Sequence, residues 1–169
     1  RAAVALLCRS NWAEGVRRDG AVTRDERFMH LALLQAELAA AAGDLPVGAV
    51  LVRGDDVIAA GHNRNVATVD PTGHAELEVM RAAGAAEGDW RLAGTTLYVT
   101  LEPCPMCFGA VLQTRIDRVV FGAANPRQGA VGGVMDLRVG PWKRPPTVDG
   151  GVLEERCARL LSAFFAARR

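Results

Sequence analysis

Two short runs, His74-Ala75-Glu76 and Pro103-Cys104-Pro105-Met106-Cys107, hold the residue types that metal chemistry needs. One imidazole and two thiols can hold a zinc ion. A set of three protein ligands leaves the fourth tetrahedral position to water, which separates catalytic sites from closed structural ones. Glu76, two positions past the histidine, adds a carboxylate able to move protons beside that water. A bare Cys-x-x-Cys is a weak signal, shared by redox dithiols and structural zinc knuckles. Joined to His-x-Glu it is stronger, because each member then has its own chemical task.

The elements that must position these groups are partly legible. Pro105 suits the first position of a helix, where its missing N–H is not needed. Cys104 and Cys107 then lie at a helix N-terminus, where the dipole favours thiolates, and three-residue spacing puts both sulfurs on one face. His74 and Glu76 would diverge on a regular helix. They can converge only at an irregular helix start, and Asp70-Pro71-Thr72-Gly73 is a suitable breaker. Earlier, Thr23-x-x-Glu26 is a capping box, followed by Phe28, Leu31, Ala32, Leu38 and Ala39 at helical spacing up to Gly43, with Pro46 ending the element. Apolar runs 47–53 and 57–61 flank Gly54-Asp55-Asp56 as a hairpin, the first buried on both faces. A second helix is expected over 74–83, stopped near Gly84. A strand over 95–100 delivers Glu102-Pro103-Cys104 to the site. A helix over 105–114, a strand over 118–122, a glycine-rich loop from Gly129 to Gly133 and a short strand over 147–149 follow. A last helix from about Val152 carries Leu153, Cys157, Leu160, Leu161 and Phe164 as its buried stripe. The expected architecture is α/β: a sheet with helices on both faces, without internal repeats.

With 169 residues, half of them hydrophobic, the chain has material for one core. Residues 1–22 read as a loose extension and 23–169 as one domain. Of four cysteines, Cys8 and Cys157 stand alone, which suggests a reducing, cytosolic setting and no disulfide framework. No apolar run approaches a membrane span, and Ala2 to Cys8 lacks a convincing cleavage site for a signal peptide. The net charge of +1 neither predicts nor excludes a nucleic-acid partner.

The two motifs together resemble the known signature of zinc-dependent nucleobase deaminases. Beyond them, the sequence from about residue 26 onward resembles the bacterial tRNA-specific adenosine deaminases. The resemblance rests on Pro46–Val50, Asn63-Arg64, Asp70-Pro71-Thr72, Leu97–Cys104, Arg118–Ala123 and the closing Phe164-Phe165 with Arg168-Arg169. It implies a three-layer α/β/α cytidine-deaminase-like fold with a five-stranded mixed sheet, a homodimer, and one zinc per subunit held by His74, Cys104 and Cys107. It also implies that Glu76 shuttles protons while water displaces the amino group of the wobble adenosine in a tRNA anticodon stem-loop, that of an arginine tRNA. Asn63 corresponds to the asparagine that contacts the target nucleotide, although it also suits a turn after the second strand. Phe164 falls on the packing stripe, and Phe165, one step round, is better placed to stack on an anticodon base.

Three features depart from the family pattern. Asn125 stands where the family often has an aspartate beside the neighbouring nucleotide, so it either weakens the preference for ribose or merely starts a turn with Pro126. Trp142-Lys143-Arg144-Pro145 replaces a loop that often reads Asn-His-Arg. The first 22 residues have no counterpart. Two other readings stay open: a deaminase of free guanine or cytosine, which shares both motifs, and a zinc-stabilised or redox module without turnover. The latter needs a fourth ligand from His62, Cys8 or Cys157, or a dithiol role.

Overall fold

In the computed structural model, which describes residues 22–168, Thr23 caps helix α1 (Arg24–Ala41) as its box requires. The Thr23 hydroxyl accepts from the Glu26 N–H, and the Glu26 carboxylate accepts from the Thr23 N–H at 2.8 Å. Phe28, Met29, Ala32, Leu33, Ala36 and Ala39 are buried. Leu38, expected on that stripe, instead faces solvent. The extension expected over residues 1–22 lies, but for its last residue, outside the described residues.

Strand β1 (Gly48–Arg53) turns through Gly54-Asp55 into β2 (Asp56–His62). One turn of helix, α2 (Asn65–Thr68), follows, with no sequence expectation behind it. The buried Asp44 carboxylate holds it by accepting from the N–H groups of Val66 (2.8 Å) and Ala67 (3.1 Å). Helix α3 (Ala75–Glu87) runs through Gly84 and stops at Gly88, whose φ of 71° is the left-handed conformation that ends helices. Then come β3 (Thr96–Leu101), α4 (Pro105–Thr114), β4 (Arg118–Ala123), a short 3-10 turn at Leu137–Val139, β5 (Thr147–Asp149) and α5 (Glu154–Ala166).

The five strands form one sheet in the order β2-β1-β3-β4-β5, with β1 antiparallel to both neighbours and β3, β4 and β5 parallel. The two-residue period of a strand sorts its side chains into two cores. Ala49, Leu51, Leu97, Val99 and Val119 pack with Val79, Ala83 and Val111 of α3 and α4. Val50, Val52, Tyr98 and Val120 pack with Phe28, Ala32 and Cys157 of α1 and α5. This is the expected three-layer α/β/α fold with a mixed sheet. On α5 only Cys157 is fully buried, its sulfur filling the space a side chain at Gly122 would need. Leu160, Leu161 and Phe164 are half-buried, since α1 already covers the centre of that face. Among the described residues no helix is long and apolar enough to cross a membrane.

A charged cluster ties α1 across the strands. Arg118 on β4 donates to both oxygens of Asp25, at 2.8 and 2.7 Å, and to Asp149 on β5 at 2.8 Å, while the Tyr98 hydroxyl donates to Asp25 at 2.7 Å. The Arg118 guanidinium holds the Asp25 carboxyl below its ordinary value, against the opposing effect of burial. Stability from a depressed carboxyl is complete above the unfolded-state value and is lost as pH falls through the folded one. Asp25→Asn should therefore cost about 1.5–3 kcal/mol at pH 7, the usual range for hydrogen bonds to charged groups. The cost should shrink below about pH 4, where the unfolded carboxyl also takes its proton. Urea melts at pH 7 and pH 3 measure both, and an equal cost at the two pH values would contradict it.

Candidate active site

His74 and Cys104 occupy equivalent places in two helices. Each is the residue just before the first turn, of α3 and α4 respectively, with extended backbone (φ −81°, ψ 146° and φ −77°, ψ 170°). Neither side chain caps its own helix, so both are free for other work. The capping of α3 falls to Asn63 at the end of β2, whose Oδ1 accepts from the Ala75 N–H at 2.9 Å. Pro105 sits in the first turn of α4, as its missing N–H allows, and Cys107 follows one turn on.

These placements converge. The Nδ1 of His74 lies 3.6 Å from the Cys104 sulfur and 3.4 Å from that of Cys107, and the three ligand atoms all fall within 4.8 Å of one another. A tetrahedral zinc with N and S bonds of about 2.0 and 2.3 Å has an N–S edge of about 3.5 Å, so the donor set fits the ion in type and spacing. Among the described residues, His62 and Cys157 lie outside this cluster, which leaves three ligands and an open position. Cys8 lies outside the described residues.

The protons in this triangle are shared. A hydrogen bond from Cys107, with a further contribution from His74, holds the Cys104 thiol down at about 4. Cys107 is pushed up, because it donates to Cys104 and is buried, and His74 is raised chiefly by Cys104. A metal ion takes over the role of these protons, which is why binding releases them. Glu76, on the first turn of α3, is 3% exposed, and burial raises its carboxyl above the ordinary value. In front lies a pocket of about 410 Å³, lined by His74, Cys104, Pro105, Met106, Arg127, Gln128, Val134 and Met135.

Residues 22–123 match the cytidine and deoxycytidylate deaminase zinc-binding region. The chain belongs to this deaminase family. It is 46% identical over 149 residues to a tRNA-specific adenosine deaminase of Bacillus subtilis, covering 88% of this chain and 92% of that protein. It is also 46% identical over 161 residues to a tRNA(Ile)-lysidine synthase of Deinococcus deserti, covering 94% of this chain but only 30% of that longer protein. A solved structure from studies of A-to-I editing by tRNA:A34 deaminases at the wobble position superposes with a TM-score of 0.78. That pair is 43% identical, with 80% of this chain and 99% of the other covered.

The other site expectations for this zinc-dependent deaminase fall in different places. Asn63 is buried at the site, and its Nδ2 donates to no acceptor among the described residues. Asn125 sits behind the pocket wall, its Oδ1 accepting from the N–H groups of Arg127 (3.2 Å) and Gln128 (3.1 Å) and its Nδ2 reaching the Glu102 carbonyl at 3.4 Å. Phe164 and Phe165 stand near the end of α5 and do not line the pocket. Arg168 lies over the Phe164 ring at 3.8 Å, whereas Phe165 is 47% exposed. Sequence reasoning passed over Arg127, Gln128, Val134 and Met135 as wall residues. The only signal for them was a glycine-rich loop with polar and apolar residues on either side.

Proposed function

We propose that this deaminase hydrolyses adenosine to inosine at the wobble position of a tRNA anticodon, with an arginine tRNA as substrate. One observation carries the reading: an open three-ligand metal triangle with a buried carboxylate beside it, in a chain similar over most of its length to tRNA-specific adenosine deaminases. Residues 23–169 form the catalytic unit, which acts as a homodimer in the cytoplasm.

His74, Cys104 and Cys107 hold the ion, which when bound supplies Lewis-acid activation of water. Glu76 performs the proton transfers. It takes a proton from the attacking water, gives one to the adenine ring nitrogen, and passes another to the amino group that leaves as ammonia, so that water and adenosine become inosine and ammonia. Burial, by raising its carboxyl, brings Glu76 closer to the range in which one group can both accept and donate. Asn63, with Oδ1 committed to α3, offers its Nδ2 to the target nucleotide. Phe165 offers a ring face to an anticodon base, and Phe164 packs beneath Arg168. Ammonia release from an anticodon stem-loop, compared with release from free guanine and cytosine, separates this reading from free-base deamination. Turnover of the bases alone would overturn it.

Asn125 contributes at the wall through its turn and its neutral charge. Aspartate can keep both turn hydrogen bonds, but it sets a second acceptor against the Glu102 carbonyl, where the asparagine Nδ2 donates, and adds a negative charge to this side of the pocket wall. A carboxylate there suits the 2′-OH of ribose, which can donate, and repels phosphates near a deoxyribose that offers no such partner. Asn125→Asp should raise the RNA-to-DNA rate ratio on matched stem-loops at fixed salt by about fivefold, equivalent to ~1 kcal/mol. An unchanged ratio would leave Asn125 a turn residue only.

A further inference from the structure

Glu102 is a charged side chain, 2% exposed, that takes no part in the metal triangle. Its Oε2 accepts from the N–H of Asn125 at 2.9 Å, and its Oε1 accepts from the N–H groups of Val131 (3.0 Å) and Gly133 (2.9 Å). Backbone bonds on either side close the same contact: Glu102 N–H to the Ala123 carbonyl at 2.8 Å, and Ala130 N–H to the Pro103 carbonyl at 3.0 Å. The loop of residues 125–135 is thus wrapped around one carboxylate. Its glycines answer to the same group, since a Cβ on Gly129 or Gly133 would overlap Oε2 of Glu102. Four of the eight residues lining the pocket, Arg127, Gln128, Val134 and Met135, belong to this loop. Cys104, two residues beyond Glu102, lines the same pocket and belongs to the metal triangle.

We propose that Glu102 is a positioning residue for substrate binding. Its carboxylate fixes the pocket wall at a set distance from the metal triangle, through a tether of two residues. The inference rests on the deaminase reading for its substrate, and on the hydrogen bonds alone for its mechanism. An ionised carboxylate is acceptor-only and can take three N–H groups, which no neutral side chain of the same length does. In Glu102→Gln, the amide oxygen can still serve Val131 and Gly133, but the amide NH2 is set against the Asn125 N–H, donor against donor. The Asn125 end of the wall is released. The ligands stay in place, because α3 and α4 hold them.

The test measures zinc content, kcat and KM on an anticodon stem-loop, and amide hydrogen exchange in parent and Glu102→Gln. The variant should keep one zinc and a kcat within about threefold of the parent, while KM rises about tenfold or more, the pattern of lost binding rather than lost chemistry. Amides of the 125–135 loop should exchange faster, with those of β3 and α4 unchanged. Gly133→Ala, which pushes on Oε2 from the other side, should give the same split and serves alone if Glu102→Gln does not fold. A zinc-loaded variant with parental KM, or one whose loop amides stay as protected as in the parent, would overturn the proposal. A purely structural role would lower stability without moving KM. Hydrogen exchange needs no substrate, so a parent inactive on RNA would sink the proposed function while leaving the positioning contact separately testable.

Discussion

Glu76→Gln is expected to fold, to hold its zinc and to bind RNA, yet to lose turnover by about three to four orders of magnitude. General acid–base groups typically contribute roughly two to four orders, and here a single carboxylate serves several transfers. The amide is close in size and suits the same buried position on the first turn of α3, but it cannot accept and return a proton. Single-turnover rates on a stem-loop, with metal analysis of the same sample, separate lost chemistry from lost metal. Deamination within a few-fold of the parent would remove Glu76 from the proposed role.

The second large effect is loss of the metal. Cys104→Ala or Cys107→Ala leaves two ligands of a three-ligand set, so zinc affinity should collapse. The starts of α3 and α4, which meet at the triangle, should then loosen. A Cys8→Ser/Cys157→Ser double variant is the control and should keep one zinc. Cys157 lies in the other core, its thiol pushed up to about 11 by burial, and its sulfur is not among the clustered ligand atoms. A full zinc complement in Cys104→Ala, or metal loss in the control, would point to a different ligand set.

What was legible in the sequence was local. Pro105 marked the start of α4 to the residue, the capping box marked that of α1, and the unbroken apolar run of β1 announced a strand covered on both sides. His74 and Glu76 could be placed together because two-residue spacing is workable only at an irregular helix start, and His74 is extended. What escaped depends on partners distant in sequence. Gly84 looked like a helix end, but intrinsic propensity costs only about 1 kcal/mol there and is easily overridden by packing. Asn63 caps a helix twelve residues on, and Glu102 finds its donors 23 to 31 residues on. No periodicity or spacing rule connects such positions. Glu102 had no reading of its own beyond its place in the run that the strand delivers, the glycine-rich stretch read only as a loop, and the fold alone shows that they are one device. Phe164 was placed on the stripe by spacing, but α1 occupies the centre of that face and leaves it half-buried.

The most direct measurement is inosine mapping at single-nucleotide resolution on tRNA incubated with the pure, zinc-loaded protein. The expected result is conversion confined to the wobble adenosine of an arginine tRNA, absent with Glu76→Gln. Intact adenosine in that tRNA, alongside ammonia release from free guanine or cytosine by the same preparation, would contradict it.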